Sequence, residues 1–503
     1  MIPQSPSPLV TSLPSLAVRR EYGAAADLTT MRVFMSNRPV MTLFDVGGDW
    51  PFFDGYSLSV LALRNFLERC GLEVNLRSAR GKGAGDEPTA ETVSRLFSGG
   101  RENIGDVVGL SCTSDYLPQA LYLARAAKDL TGAFILLGGV GPTLLPEEIL
   151  AAYPFMDAVC VGEGEHTLQQ FLQTDRDPES LARVPGLVFR SREGGVAWSA
   201  PRPRIASLDD LPITHSVMEL EDDALGYDVM VHLLTSRGCP GACSFCGHRA
   251  VWGGRRSTLS MDALGDFLQE HDYQGDRTLM VFHDDTFLFP PGRLKAWARA
   301  LRERDLSVRW APFARIADIG RDTAPLLRDI GCDQVTFGVD GLSKEILAGM
   351  RKVTGMADAK RAVAALLDVG VAVRVNLIWD WPGETFEDFE ALVHFAYESV
   401  CLGALAGLSR LQVYPRTRLI SQIGTGMVMD EAALRALPLF LGEGAAFVRE
   451  NPALYPNFFR HAYSRDTEKK IDLFEKMGFI FGGDRTRQTR HPVRWTSRRE
   501  YAS

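Results

Sequence analysis

Residues 235–248 read TSRGCPGACSFCGH and set Cys239, Cys243 and Cys246 in a C-x-x-x-C-x-x-C array. Three thiolates delivered by one short loop hold three corners of an iron-sulfur cube and leave the fourth iron open to another ligand. With 8 Cys among 503 residues, chance produces this spacing with an expected frequency of roughly 0.002 per chain. The array is therefore read as chemistry. The alternative is a structural zinc loop closed by His248, although zinc sites usually close at a second knuckle. No second C-x-x-C pair stands elsewhere in the chain.

The other cysteines, Cys70, Cys112, Cys160, Cys332 and Cys401, occur singly in apolar surroundings. That is the usage of reduced, buried small hydrophobes, and it places the chain in the cytoplasm. A net charge of −8 gives no general pull toward nucleic acid or anionic membrane. No run of eighteen or more apolar residues is present, so no membrane span is expected. Residues 1–30 are rich in Pro and Ser without a continuous apolar stretch, and read as a disordered leader and not as a signal peptide. Residues 485–499 carry six arginines with Trp495 as their one aromatic, the pattern of a solvated tail.

With 46% hydrophobic residues, the chain has enough core for two or three α/β domains. From 31 to 177, short β-branched runs alternate with longer amphipathic segments, as in a parallel sheet flanked by helices. Strands are expected at 40–44, 73–77, 106–111, 133–137 and 158–161, with helices at 57–70, 88–96, 117–130 and 147–153. Ligands of such folds lie beyond the carboxyl ends of the strands, here 45–55, 111–115 and 138–141. The glycines at 138, 139 and 141 either admit a ligand to the backbone or simply make a tight strand-helix turn. Residues 178–228 turn to Pro, Arg, Asp and Ser, with a small hairpin expected around Gly194, and read as a connector. From 229 to 422 six strand-helix units follow, the first delivering the cysteine loop. Past 422, helical spacing with clustered aromatics suggests a helical cap over 423–503.

The cysteine array, with Phe245 before its last member, resembles the signature of the radical S-adenosylmethionine (SAM) enzymes. The resemblance implies a partial (β/α)6 barrel and a [4Fe-4S] cluster on Cys239, Cys243 and Cys246. It also implies SAM on the open iron, cleaved to a 5′-deoxyadenosyl radical. By family position, Asp284 or Asp285 meets the SAM ammonium, Arg315 its carboxylate, Asp340 its ribose, and Phe245 its adenine. GVDGLS around Asp340 departs from the commoner Gly-Val-Glu-Ser. Each of these residues is equally at home in a salt bridge or cap, and Glu384 reads as the first acid of a helix.

The segments VVGLSCTS, LLGGVGPTLLPEEIL and MDAVCVGEGE, in that order, resemble the Rossmann-like cobalamin-binding domain that precedes the barrel in one branch of these enzymes. The resemblance assigns the cobalamin tail to Ser111, Thr113, Gly138 and Gly139. The D-x-H-x-x-G motif of other cobalamin proteins is missing, and residues 45–56 contain no His. The resemblance thus implies a cobalamin-dependent methyltransferase acting on a carbon of a small natural product, with flavodoxin or ferredoxin as electron donor. A radical dehydratase, oxidase or rearrangement enzyme of a sugar-like substrate, its N-terminal domain free of cofactor, is the alternative, and a zinc-stabilised binding module a third. No catalytic residue and no substrate follow from the sequence.

Overall fold

The computed structural model describes residues 41–46, 56–79, 90–220, 226–423, 426–431, 434, 443–461 and 466–481. The leader, most of the 45–56 loop and the basic tail lie outside the described residues.

Seven strands form the first sheet: β1 Met41–Asp45, β2 Val74–Ser78, β3 Val107–Ser111, β4 Phe134–Gly138, β5 Ala158–Cys160, β6 Leu187–Arg190 and β7 Val196–Trp198. Their order is β2-β1-β3-β4-β5-β6-β7, the first five parallel and the last two antiparallel. Each parallel strand falls within a residue or two of its expected place, and for β1, β3, β4 and β5 the reason is that an apolar run buried on both faces is a strong local signal. Alternation then divides the side chains. Met41, Leu43, Val107 and Leu136 join one core, and Phe44, Val108, Leu110 and Leu137 the other. Helices such as Leu58–Arg69 and Leu117–Thr131 cover these faces.

The second sheet takes β8 His215–Glu219 and β9 Val229–Leu233, then, past the short pair β10 Ser236–Arg237 and β11 Ser257–Thr258, the strands β12 Thr278–Phe282, β13 Arg309–Ala314, β14 Gln334–Asp340, β15 Ala372–Trp379 and β16 Leu405–Arg410. Its order is β16-β15-β14-β13-β12-β9-β8. Six strands are parallel and β8 runs antiparallel to β9. This is the partial (β/α)6 barrel expected from the sequence, with one added edge strand. Residues 178–228 therefore do more than connect, since they give β6 and β7 to the first sheet and β8 to the second.

The C-terminal region adds a hairpin to the helices expected there. It holds a hairpin of β17 Met427–Met429 and β18 Phe459–His461 besides the helices Glu443–Glu450 and Thr467–Phe481. It binds both domains. Tyr455 shares a 2.7 Å hydroxyl bond with Tyr153 of the first domain, while Lys470, 0% exposed, donates to Glu384 of the barrel at 2.8 Å. Clustered aromatics gave this stretch a helical look, yet Tyr455 and Phe458 are buried in the first domain's core.

Candidate active site

The chain leaving β9 carries the cysteines to the carboxyl end of the barrel sheet. Gly238 has φ +89, and a Cβ there would lie 2.1 Å from the Arg255 carbonyl, so only glycine makes this turn. Other segments then pin the loop. The Gly238 N–H donates to Asp285 Oδ2 at 3.0 Å, Ser244 Oγ to the Gly349 carbonyl at 2.7 Å, and the Leu419 N–H to the Ser244 carbonyl at 2.9 Å. All three thiols are part-buried. Burial pushes each of them up, Cys246 to about 11, so their thiolate form depends on the positive charge of a bound metal.

Among the described residues, no three His, Cys, Asp or Glu side chains converge as one metal ion requires. A cube, with a separate iron for each thiolate, asks for no such convergence. His248, the fourth ligand of the zinc alternative, is instead turned to Asp285, Nδ1 to Oδ1 2.5 Å.

The two acids that follow β12 have different surroundings. Asp284, 1% exposed, accepts from the Thr235 N–H (2.7 Å), Thr235 Oγ1 (2.8 Å), the Ser236 N–H (3.1 Å) and Ser236 Oγ (2.5 Å). Arg256 and Arg293 flank it at 3.7 and 3.8 Å. Its oxygens are filled by protein donors, and it fastens the end of β12 to that of β9. Asp285 faces a cavity and holds the cysteine loop through Gly238 and His248. Its hydrogen bond raises the His248 pKa.

The other expected SAM contacts are placed around the same end of the barrel. Arg315 grips Asp318, Nε to Oδ2 2.9 Å and Nη2 to Oδ1 2.5 Å, and lies 4.8 Å over the Phe289 ring. Asp340, in the left-handed region at φ +65, is ion-paired with Lys352. Phe245 meets Trp381 edge-on with centroids 6.0 Å apart. Glu384 is not the first acid of a helix, since the helix Phe386–Cys401 begins after the cap Thr385 with Glu387 and Asp388 in its first turn, and Glu384 instead accepts from the Asp380 N–H at 2.7 Å and from Lys470.

A cavity of about 440 Å³ joins the two sheets' carboxyl ends. Ser111, Thr113, Gly138 and Gly139 line it from one side, and Arg237, His248 and Asp285 from the other. All four residues expected on the cobalamin side are thus brought together, against the stem of the cysteine loop. Their glycines differ in what they do. A Cβ on Gly139, at φ +100, would lie 2.5 Å from the Cys112 carbonyl, so this glycine is required by loop-on-loop packing. A Cβ on Gly138 would find only ordinary contact, 3.7 Å from Cys160 Cβ.

Two family descriptions match the chain, "B12 binding domain" over residues 51–172 and "Radical SAM superfamily" over residues 233–396. The chain carries a radical SAM domain preceded by a B12-binding domain. An uncharacterized methyltransferase of Pyrococcus horikoshii is 28% identical over 296 residues, covering 58% of this chain and 64% of that protein. An anaerobic magnesium-protoporphyrin IX monomethyl ester cyclase of Rubrivivax gelatinosus is 25% identical, covering 57% of this chain and 53% of that one. The chain thus spans less than two thirds of the length of either relative. The radical SAM methyltransferase TsrM of Kitasatospora setae, solved with cobalamin and a [4Fe-4S] cluster, has the same fold at a TM-score of 0.59 and 18% identity, covering 81% of each chain.

A radical SAM domain implies a [4Fe-4S] cluster and SAM. The thiol set fits the cluster, being one loop of part-buried sulfurs in which the Gly241 N–H already donates to Cys239 Sγ at 3.3 Å. The B12-binding domain's cavity fits the tail of cobalamin, with small residues at two adjacent strand ends and a volume in the range of a nucleotide-sized ligand.

One arrangement in the radical SAM protein has no counterpart in the sequence reading. Arg237, two residues before the first cysteine, reaches Glu163 at 3.1 Å and Glu165 at 2.6 Å. Glu163 lies in the loop after β5 and Glu165, 2% exposed, opens the helix Glu165–Phe171 that follows it. This clamp ties the B12-binding domain to the cysteine loop. Its members stood in plain view in SRGC and VGEGE, but nothing local pairs residues more than seventy positions apart. Removing one partner of a buried pair strands the other charge, so Arg237→Ala is expected to lower unfolding free energy by about 3–5 kcal/mol. Urea denaturation under anaerobic conditions measures this, and an unchanged midpoint would dismiss the clamp.

Proposed function

We propose that the chain is a cobalamin-dependent radical SAM methyltransferase acting on an unactivated carbon of a small molecule. The observation that carries this reading is the shared cavity, in which the four B12-loop residues face the stem of the cysteine loop. When bound, the reduced cluster with SAM supplies a 5′-deoxyadenosyl radical, and cobalamin supplies a methyl carrier. Cys239, Cys243 and Cys246 hold the cluster, and Ser111, Thr113, Gly138 and Gly139 take the cobalamin tail. Asp285 meets the SAM ammonium, Arg315 the SAM carboxylate, Asp340 the ribose and Phe245 the adenine. The electron comes from a flavodoxin or ferredoxin, in the cytoplasm. All eight cysteines are free, and no helix among the described residues is long and apolar enough to cross a membrane.

The likeness to the cyclase favours a second reading, in which radical chemistry proceeds without methyl transfer. The two are separated by products. In anaerobically reconstituted protein with a reductant, the methyltransferase forms S-adenosylhomocysteine that depends on added cobalamin, besides 5′-deoxyadenosine. Only 5′-deoxyadenosine, whether or not cobalamin is added, would overturn the methyltransferase reading.

The two acids after β12 give a sharper test of the SAM site. Asp285→Asn is expected to weaken SAM binding about tenfold or more, since a charge-assisted contact contributes roughly 1.5–3 kcal/mol. Asp284→Asn is expected to act on the fold, because the amide leaves a buried hydroxyl or N–H without its acceptor, at about 1–3 kcal/mol. Calorimetric SAM titration beside thermal unfolding distinguishes them. Unchanged SAM affinity in Asp285→Asn would make that acid structural too.

A further inference from the structure

The barrel strands turn one face to the helices and the other to the interior. On β15, Val373, Val375, Leu377 and Trp379 join the main core with Leu366, Phe389 and Leu392 of the covering helices. Arg374 and Asn376 between them stand on the opposite, inner face. Strand register sets Thr336 beside Arg374, and Phe313 beside Thr336. Gln334 is on the same face, its Nε2 donating to Thr336 Oγ1 at 3.2 Å. A Cβ built on Gly407 of β16 would lie 3.2 Å from Asn376 Oδ1 and 3.8 Å from Arg374 Nη2. The glycine leaves room beside both groups.

This inner patch is polar and incompletely satisfied. Elsewhere in the sheet, Arg309 of β13 and Arg410 of β16 are paired with Asp333 and Asp380. Arg374 is half-buried, and among the described residues it has neither an ion-pair nor a side-chain hydrogen-bond partner. Burial lowers its pKa, with no carboxylate to offset the effect. Gln334, 3% exposed, has its Oε1 without a partner, an acceptor beside these donors for a hydroxyl or N–H of the same ligand. Phe313 leaves 37% of its surface open on the same face. A half-buried guanidinium with no counter-charge is costly to a fold, and the residues here offer an anion two kinds of donor with an aromatic wall beside them.

We propose that Arg374, with the Asn376 amide, anchors a carboxylate or phosphate group of the barrel's small-molecule substrate. The inference rests on the reading that the barrel receives such a substrate, and it adds the substrate's class, an anionic molecule. The carboxylate of SAM is the other source of this chemistry. Arg374 lies five residues before the carboxyl end of β15, roughly 16 Å along a parallel strand. The cysteine loop stands at that carboxyl end, so the anchored group is the far end of the substrate.

The test uses the cluster-loaded protein with saturating SAM, titrated with inorganic phosphate and with acetate while thermal unfolding is followed. The wild type is expected to show a saturable rise in Tm with at least one of the anions, and Arg374→Gln to need about tenfold or more of the anion for the same rise. Arg374→Gln alone is expected to keep or raise the Tm, because an unpaired buried charge is removed. If that variant does not fold, Arg374→Lys should keep the charge and part of the binding. No saturable rise in the wild type, or equal rises in wild type and variant, would overturn the proposal. A tenfold loss of SAM affinity in the variant would assign the anchor to SAM and overturn the substrate assignment. None of these readouts needs methyl transfer, so the two proposals fail separately.

Discussion

Replacing Cys239, Cys243 and Cys246 together by Ala is expected to take iron and sulfide from about four each per chain to none, and SAM cleavage with them. The three thiols are the loop's metal donors, and burial holds them protonated until a metal binds. The loop itself is fixed by Gly238, Ser244 and Asp285 and not by the sulfurs. The triple variant should therefore keep its far-UV circular dichroism while losing the broad absorbance of the cluster. Anaerobic reconstitution followed by iron and sulfide assay decides the matter, and stoichiometric zinc with no iron in the wild type would reject the cluster.

The second large effect is expected at the B12-binding loops. Gly139→Leu is a poor probe, because a side chain there meets the Cys112 backbone before it meets any ligand. Gly138→Leu is the better one. Its Cβ has ordinary contact with Cys160, and Gly138 and Cys160 both line the cavity, so a larger side chain takes the ligand's space. Overpacking of about 1–3 kcal/mol corresponds to a loss of cobalamin affinity of about five- to 150-fold, read from the absorbance retained after desalting. Cluster content and 5′-deoxyadenosine formation should be unchanged, since the cysteine loop is built from other segments. Wild-type turnover that survives rigorous removal of cobalamin would refute the dependence.

What the sequence by itself determined was local. Buried apolar runs located four of the five parallel strands of the first sheet, because a strand buried on both faces needs nothing distant to be legible, and strand-helix alternation located the edge strand β2 and the six of the barrel. The cysteine spacing carried the cluster, since its donors come from one loop.

Only the tertiary structure decided between neighbours and joined distant partners. Asp284 and Asp285 are alike in sequence. The end of β9 fills one with donors, and the other is left facing the cavity. The hairpin of residues 187–198 reads as part of a connector until β5 supplies its partner edge. Glu384 looks like an ordinary helix-start acid until Lys470, 86 positions on, is buried against it. Arg374 is one arginine among many, and it stands out only because the strands beside it bring no carboxylate within reach. Pairings of this kind depend on which surfaces meet after the chain has folded, and a charge has the same identity in the sequence whether or not a counter-charge awaits it.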